Sequence, residues 1–166
     1  RWRPMSVLDT RPADAFANDR NHVFHSWSAQ GALNPVVITK ASGSHFWTED
    51  GSRYLDFSSQ LVNINIGHQH PKLVAAIQEQ AGRLCTVAPF HANDARSEAA
   101  RLICEVANNG MPGGDLDMVF FTNGGAEATE NAVRMARLHT GRFKVLNHYR
   151  SYHGATNGAI TLTGDP

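Results

Sequence analysis

The clearest pattern of apolar and polar positions lies between Asp117 and Arg137. Residues 118–121 form an apolar run of strand length. Residues 122–125 interrupt that run with two polar residues and two glycines, which tolerate the backbone angles of tight turns. Helix-forming residues follow, acidic near the start (Glu127) and basic near the end, an order that suits the helix dipole. The pattern therefore predicts a strand, a turn and a helix in direct succession.

The glycine turn in this stretch allows two interpretations. Free N–H groups at the helix start, with no side chain at Gly124 or Gly125, would form a site for a phosphate group. Alternatively, the turn is a tight connection whose glycines only permit close packing, since such turns are common in α/β proteins. The local pattern leaves both interpretations open.

Upstream of this stretch, short apolar runs alternate with turn signals and predict a small antiparallel meander. The predicted strands are 36–39, 45–48 and 53–57, with Asp50-Gly51 as a strong hairpin signal. Residues 1–35 are mixed polar and aromatic, and we interpret them as an arm or short helix that packs on another element. Alternating apolar positions over 61–66 predict a half-buried extended segment.

Helical spacing predicts three further helices around the central stretch. They run from about 71 to 84, from Asn93 or Asp94 to the glycine-rich segment 108–115, and from about 155 to 162. The apolar positions expected to face inward are Leu73, Ile77, Leu84, Ala99, Leu102, Ile103 and Val106. Residues 143–146 predict one more strand after the central helix.

The order strand, helix, strand, helix with short turns indicates a parallel βαβ arrangement with right-handed crossovers. The predicted fold class is α/β: a small N-terminal α+β meander, then the first strands of a doubly wound, mainly parallel sheet. Because parallel sheets are normally larger and buried, we expect an incomplete large domain within a longer protein. The predicted division is 1–70 for the arm and meander and 71–166 for the large domain.

Composition argues against several classes of partner. The 166 residues carry fifteen basic and fifteen acidic side chains and no net charge, so we expect neither nucleic acid nor an anionic membrane as partner. No apolar run approaches the roughly 20 residues that span a bilayer, and no secretory signal is evident.

Cys85 and Cys104 are expected to be reduced core residues of a cytoplasmic protein. The spacing of His68 and His70 could suggest metal ligands, but a turn explains it and we expect no metal site.

Three motifs, in matching order and spacing, resemble the class III aminotransferases, fold-type-I enzymes that use pyridoxal 5'-phosphate (PLP). Residues 120–128, FFTNGGAEA, are similar to the phosphate-binding turn of that family. Asp56 with the GHQHP of residues 67–71 is similar to its N-terminal signature, and 151–156, SYHGAT, matches its Y-H-G-x-T segment. The resemblance covers most of the chain from about Val36 and is to the N-terminal portion of ω-amino acid:pyruvate aminotransferases.

The resemblance implies a function and a set of site residues. The function is amino-group transfer between an ω-amino acid or amine and a keto acid such as pyruvate or 2-oxoglutarate, in a homodimer with active sites at the subunit interface. The implied PLP-binding residues are Gly124, Gly125 and Ala126 for the phosphate, Tyr152 flat against the ring, and His153 and Gly154 in the pocket wall. The implied substrate-pocket residues are Leu61, Val62, Pro89 and Phe90.

The sequence also departs from the family pattern. Gly124 replaces a common serine, and Val62 stands where many amine-accepting relatives carry tryptophan. The lysine that forms a Schiff base with PLP lies later in the family's chain. Lys40, Lys72 and Lys144 lack the desolvated setting that such chemistry requires, so we assign no catalytic residue within this chain.

Other interpretations remain open. A nucleotide- or sugar-phosphate-binding α/β module could use the same turn for phosphate, with no ring lying flat against Tyr152. An inactive fragment is compatible with the missing lysine. Tyr152, Leu61 and Phe90 could also be ordinary core residues.

Overall fold

The computed structural model describes residues 14–111 and 113–164. The chain divides into two compact units, one ending at Thr86 and the next beginning at Val87. In chain order the elements are α1 (Ala15–His22), a 3-10 turn (Gln30–Ala32), β1 (Ile38–Ser42), β2 (His45–Thr48), β3 (Arg53–Leu55), α2 (Ser59–Val62), α3 (Pro71–Arg83), α4 (Asp94–Gly110), α5 (Gly125–Thr140) and α6 (Asn157–Leu162).

The predicted meander is confirmed as an antiparallel sheet of order β1-β2-β3. Its register pairs Ser42 with His45 across the first turn, so β1 extends beyond the predicted end at residue 39. On the second pair of strands, the rings of Phe46 and Tyr54 stack with centroids 5.3 Å apart. Cross-strand aromatic pairs of this kind help to fix the register of a sheet.

The helix boundaries follow local signals that the sequence carries. Pro71 occupies the first turn of α3, where its missing N–H costs no hydrogen bond. The Asn93 side chain accepts from the Arg96 N–H at 3.0 Å and caps α4. Gly141 ends α5 with a φ of 67°. Residues 14–30 contain the expected short helix, capped by Asp14, whereas residues 1–13 of the predicted arm lie outside the described residues.

Two predicted strands are wrong for this chain. Residues 118–121 and 143–146 form no strand, and the described residues contain no sheet besides the meander. A parallel strand exists only with hydrogen-bonded neighbours, and neither segment has one among these residues. Met118 and Leu146 are accordingly 91% and 99% exposed.

The segment 61–66 is predicted as extended, but its first part belongs to a helical turn. Ser59–Val62 forms one irregular helical turn, α2, in which Gln60 and Leu61 depart from helical angles. The turn forms because the Ser59 hydroxyl donates to the Ile64 carbonyl at 2.9 Å and the Asp56 carboxylate accepts from the Gln60 N–H. Hydrogen bonds of side chains to the local backbone compete with extended structure in this way.

Little apolar surface is buried within the described residues. Ala159 is their one fully buried apolar residue, and Thr48 is the one polar residue among them that is buried when backbone and side chain are taken together. The large side chains predicted to face inward from α3 and α4 are instead exposed: Leu73, Ile77, Leu84, Leu102, Ile103 and Val106. Of the two cysteines predicted as core, Cys85 is exposed and Cys104 is half-buried. No described helix is both long and apolar enough to cross a membrane.

Candidate functional site

The start of α5 presents backbone N–H groups to open space. Its N-cap, Gly124, has extended backbone angles and makes no capping hydrogen bond through a side chain. The first turn of an α-helix has no intrahelical acceptors for its N–H groups, so those of Gly125, Ala126 and Glu127 need an outside partner. A Cβ placed on Gly124 or Gly125 would meet no atom within 4 Å. The structure therefore provides both the donors and the room that an anion requires.

Polar side chains fix the shape of the turn that precedes α5. Glu127 Oε2 accepts from the Asn123 N–H at 3.0 Å and from its side-chain amide at 3.3 Å. The Thr122 hydroxyl donates to the Gly124 carbonyl at 3.1 Å. Glu127, interpreted from the sequence as a helix-start charge, thus also holds the turn before the helix through Asn123. Its carboxylate is engaged with Asn123.

The segment containing Tyr152, His153 and Gly154 lies against this helix start. Gly154 has a φ of 126°, and a Cβ on it would lie 2.5 Å from the Cβ of Ala126. Neither the angle nor the space admits another residue. Two motifs that the sequence singled out separately are therefore brought into van der Waals contact.

Glu130 on α5 holds the beginning of α6. Its Oε1 accepts from the Thr156 hydroxyl at 2.7 Å, the Gly158 N–H at 2.7 Å and the Ala159 N–H at 3.0 Å. The Thr156 bond, followed by the backbone bonds, lowers the pKa of Glu130 below its ordinary value. No sequence signal indicates this role, because the partners of Glu130 lie 26 to 29 residues further along the chain.

Hydrogen bonds to the chain after α6 hold the far side of the Tyr152 segment. The His153 N–H donates to the Thr163 hydroxyl at 3.2 Å, and the Gly164 N–H donates to the Ser151 carbonyl at 3.1 Å. Tyr152 keeps 57% of its surface exposed. The segment is thus fixed at its backbone while Tyr152 as a whole residue remains exposed.

The predicted substrate-pocket residues occupy exposed positions in the two units. Leu61 and Val62 lie on α2 in the first unit and are 87% and 78% exposed. Phe90, in the second unit, is 81% exposed, with its ring centroid 4.5 Å from that of His91. Their contribution to one pocket remains a prediction.

Asp56, the acidic residue of the N-terminal signature, is hydrogen-bonded to His68 in the same unit. The Asp56 Oδ2 and His68 Nε2 atoms are 2.6 Å apart, and the two side chains are 3% and 13% exposed. The sequence marked both residues as part of a motif but gave them no role. The pair joins the end of the meander to the GHQHP segment.

Other reactive side chains form no second site among the described residues. Lys40, Lys72 and Lys144 are all exposed, and Lys40 Nζ lies 5.0 Å from the centre of the Trp47 ring. Within 14–111 and 113–164 there is no group of three His, Cys, Asp or Glu side chains that could hold a metal ion.

Comparison with known proteins gives a family match. The sequence model of the family described as aminotransferase class III matches residues 27–166. Acetylornithine aminotransferase of Caldanaerobacter subterraneus subsp. tengcongensis is 37% identical over 136 residues, 78% of this chain and 33% of that protein. The 5-aminovalerate aminotransferase DavT of Pseudomonas aeruginosa is 38% identical over 135 residues, 81% of this chain and 31% of that protein.

Solved structures give the same match. Taurine:2-oxoglutarate aminotransferase from Bifidobacterium kashiwanohense, in complex with PLP and glutamate, superposes with a TM-score of 0.85 at 44% identity. The match covers 91% of this chain and 33% of that one. The chain thus spans about a third of the length of the curated relatives it matches. This likeness confirms the predicted class, a partial α/β fold with a small antiparallel sheet.

Proposed function

Because this chain belongs to the class III aminotransferases, we propose that the protein carrying it is a PLP-dependent transaminase. The donor is an ω-amino acid or amine, and the acceptor is a keto acid such as pyruvate or 2-oxoglutarate. The observation that carries the proposal is the row of open N–H groups at the start of α5, with the Gly154 segment packed against it.

The helix start fits the phosphate group of PLP. The N–H groups of Gly125 and Ala126 hold the phosphate, with Gly124 assisting, and the positive end of the α5 dipole adds to the attraction. No side chain fills the space above Gly124 and Gly125. An anion of this size can therefore approach the backbone closely.

The Tyr152 segment supplies the surface for the ring of PLP. Tyr152, which is exposed, would stack on the ring, and His153 and Gly154 would shape the adjoining wall. When bound, PLP supplies an electron sink for the carbon next to the donor nitrogen. Tyr152 contributes by fixing the plane of that sink, since only a correctly oriented bond benefits from it. The lysine that joins PLP covalently lies outside this chain in our proposal.

The donor class rests on the relatives and on the predicted pocket residues. DavT is named for 5-aminovalerate and the solved neighbour for taurine, and both compounds carry a terminal amino group. Leu61 and Val62 contact the donor chain in this proposal, and Phe90 is proposed separately as a substrate-pocket residue. Val62 leaves more room than the tryptophan common in amine-accepting relatives.

Assembly and location complete the proposal. We place the protein in the cytoplasm as a homodimer in which a partner subunit contributes to each active site. Light scattering on the complete protein tests the dimer, and a mass of one chain would contradict it.

The decisive experiment measures PLP binding and transamination together in the complete protein that carries this chain. We expect the visible absorbance band of protein-bound PLP. We also expect turnover of 5-aminovalerate, taurine or N-acetylornithine with pyruvate or 2-oxoglutarate. Inorganic phosphate should compete with PLP for the helix start. Phosphate binding without PLP binding would favour the nucleotide or sugar-phosphate module. The absence of both PLP binding and turnover would contradict the proposal.

A further inference from the structure

The loop 57–66 contains three non-glycine residues in left-handed backbone conformations. Ser59, Gln60 and Val62 have φ angles of 54°, 59° and 58°. Valine is branched at Cβ, and its side chain makes this region especially unfavourable. Strained backbone of this kind persists only where the surroundings fix it, and it is concentrated at ligand clamps and active sites.

One carboxylate fixes the strained part of this loop. Asp56 accepts from the Gln60 N–H with Oδ1 at 2.9 Å and Oδ2 at 3.1 Å. Its Oδ2 also accepts from the Gln60 side-chain amide at 2.9 Å. These bonds, the backbone one first, together with the His68 contact lower the pKa of Asp56 to about 2. The carboxylate therefore stays ionised and available to all its partners at neutral pH.

The second partner of Asp56 is itself anchored to the sheet. His68 Nε2 lies 2.6 Å from Asp56 Oδ2. Its backbone exchanges two hydrogen bonds with Gly43 in the β1–β2 turn, at 2.8 Å and 3.0 Å. Asp56 follows β3, so both ends of the loop are tied to the same small sheet. The loop cannot relax without breaking these contacts.

The loop presents apolar side chains that it does not use for its own packing. Leu61 and Val62 occupy its strained part and remain 87% and 78% exposed. We propose that Asp56 and His68 are positioning residues that hold this loop so that Leu61 and Val62 form a fixed wall against the amino donor. This inference rests on the transaminase function proposed above.

A positioning role predicts a specific kinetic signature. In the complete protein, Asp56→Asn should raise the KM of whichever donor the wild type turns over, 5-aminovalerate or taurine, by roughly tenfold, because a loop that relaxes part of the time binds more weakly. The value of kcat should change much less, and the affinity for PLP should stay the same. His68→Ala should act in the same direction. His68→Gln should recover part of the loss, because its amide can still donate to Asp56.

Two companion variants separate positioning from stability. Asp50→Asn is the matched control, since Asp50 binds Thr48 and Ser52 in the hairpin of the same sheet and does not touch the loop. It should leave the donor KM unchanged. Gln60→Ala removes only one hydrogen bond and should give a smaller KM effect in a protein that still folds.

The closing test is a double-mutant cycle between Asp56→Asn and Leu61→Ala. If Asp56 acts through the wall, Leu61→Ala should remove most of its effect on KM, a non-additive result. Additive effects on KM would overturn the positioning role. So would a lowered melting temperature with an unchanged donor KM in Asp56→Asn and Gln60→Ala. Either result would leave the proposed transaminase function intact. A wild-type protein without transamination would refute the proposed function and this inference with it.

Discussion

Gly154 lies so close to Ala126 that a Cβ on the glycine would come within 2.5 Å of the alanine Cβ. Ala126 carries one of the N–H groups proposed to bind phosphate, and Gly154 follows the proposed ring-stacking residue by two positions. The contact therefore sets how far the Tyr152 segment stands from the helix start. In a site where phosphate and ring belong to one small molecule, that spacing decides whether both can bind at once.

Gly154→Ala should accordingly damage both the fold and PLP binding. The substitution places alanine at a φ of 126° and against Ala126. Strain and overpacking together should cost about 2 kcal/mol or more of unfolding free energy. The affinity for PLP should fall at least tenfold because the segment must move away from α5. Thermal unfolding and PLP titration of the complete protein measure the two effects.

Gly82→Ala is the matched control for this variant. Gly82 lies within α3, where a Cβ would meet no atom within 4 Å. Alanine there should stabilise the helix by up to about 1 kcal/mol and leave PLP affinity unchanged. A Gly154→Ala protein that binds PLP as tightly as the wild type would show that the contact does not set the spacing.

Gly124→Ser should strengthen phosphate binding. The φ of Gly124 is −162°, which any residue adopts, and the space beside it is open. The added hydroxyl can donate to the phosphate, and a hydrogen bond to a charged group should raise PLP affinity several-fold. Gly124→Ala, which adds a methyl group and no donor, should bring no such gain. Weaker binding by the serine variant would instead mean that its hydroxyl accepts from the N–H groups and competes with phosphate.

Elements with local signals could be predicted from the sequence. Pro71 marks the start of α3, Asn93 caps α4 and Gly141 ends α5, because each acts through its own backbone position. The open helix start at Gly124 and Gly125 also follows from residues that are adjacent in sequence. The partial α/β class came from these signals together with the resemblance of the motifs.

Features that depend on distant partners could not be predicted. Residues 118–121 and 143–146 have the composition of strands, but a strand requires neighbours that the described residues do not provide. Glu130 likewise finds its partners at the start of α6, far along the sequence. The conformation of 61–66 could not be predicted for a different, local reason: alternation of apolar residues carries no information about the Asp56 carboxylate, which accepts from the nearby Gln60 N–H and curls the chain.

Glu130→Gln should weaken the link between α5 and α6 in a pH-dependent way. The folded-state pKa of Glu130 is lowered, chiefly by its Thr156 hydrogen bond, so its stabilising effect is present above the ordinary value of 4.5. That effect is lost as pH falls through the lowered pKa. The variant should therefore melt below the wild type at pH 7, with a difference that narrows under acid conditions. Melting temperatures between pH 3 and pH 7 measure this.

A surface carboxylate provides the comparison for Glu130. Glu98 pairs with Arg101 on α4 at 2.8 Å, and both side chains are 57% exposed. Glu98→Gln should change the melting temperature less at every pH, because exposed ion pairs contribute little. A Glu130→Gln difference that stays constant from pH 7 to pH 3 would show that the ionised carboxylate is not what holds α6.

Asp56 should titrate well below an ordinary aspartate. Its pKa is lowered from 3.8 to about 2, first by the Gln60 backbone N–H, then by the Gln60 side chain and, more weakly, by His68. A lowered pKa means that its contribution to stability is complete above about pH 4 and is lost as pH falls towards 2. The carboxyl carbon resonance of Asp56, followed by NMR against pH, should show its midpoint near 2. Gln60→Ala should raise the midpoint, and a wild-type midpoint near 4 would mean that the carboxylate does not hold the loop.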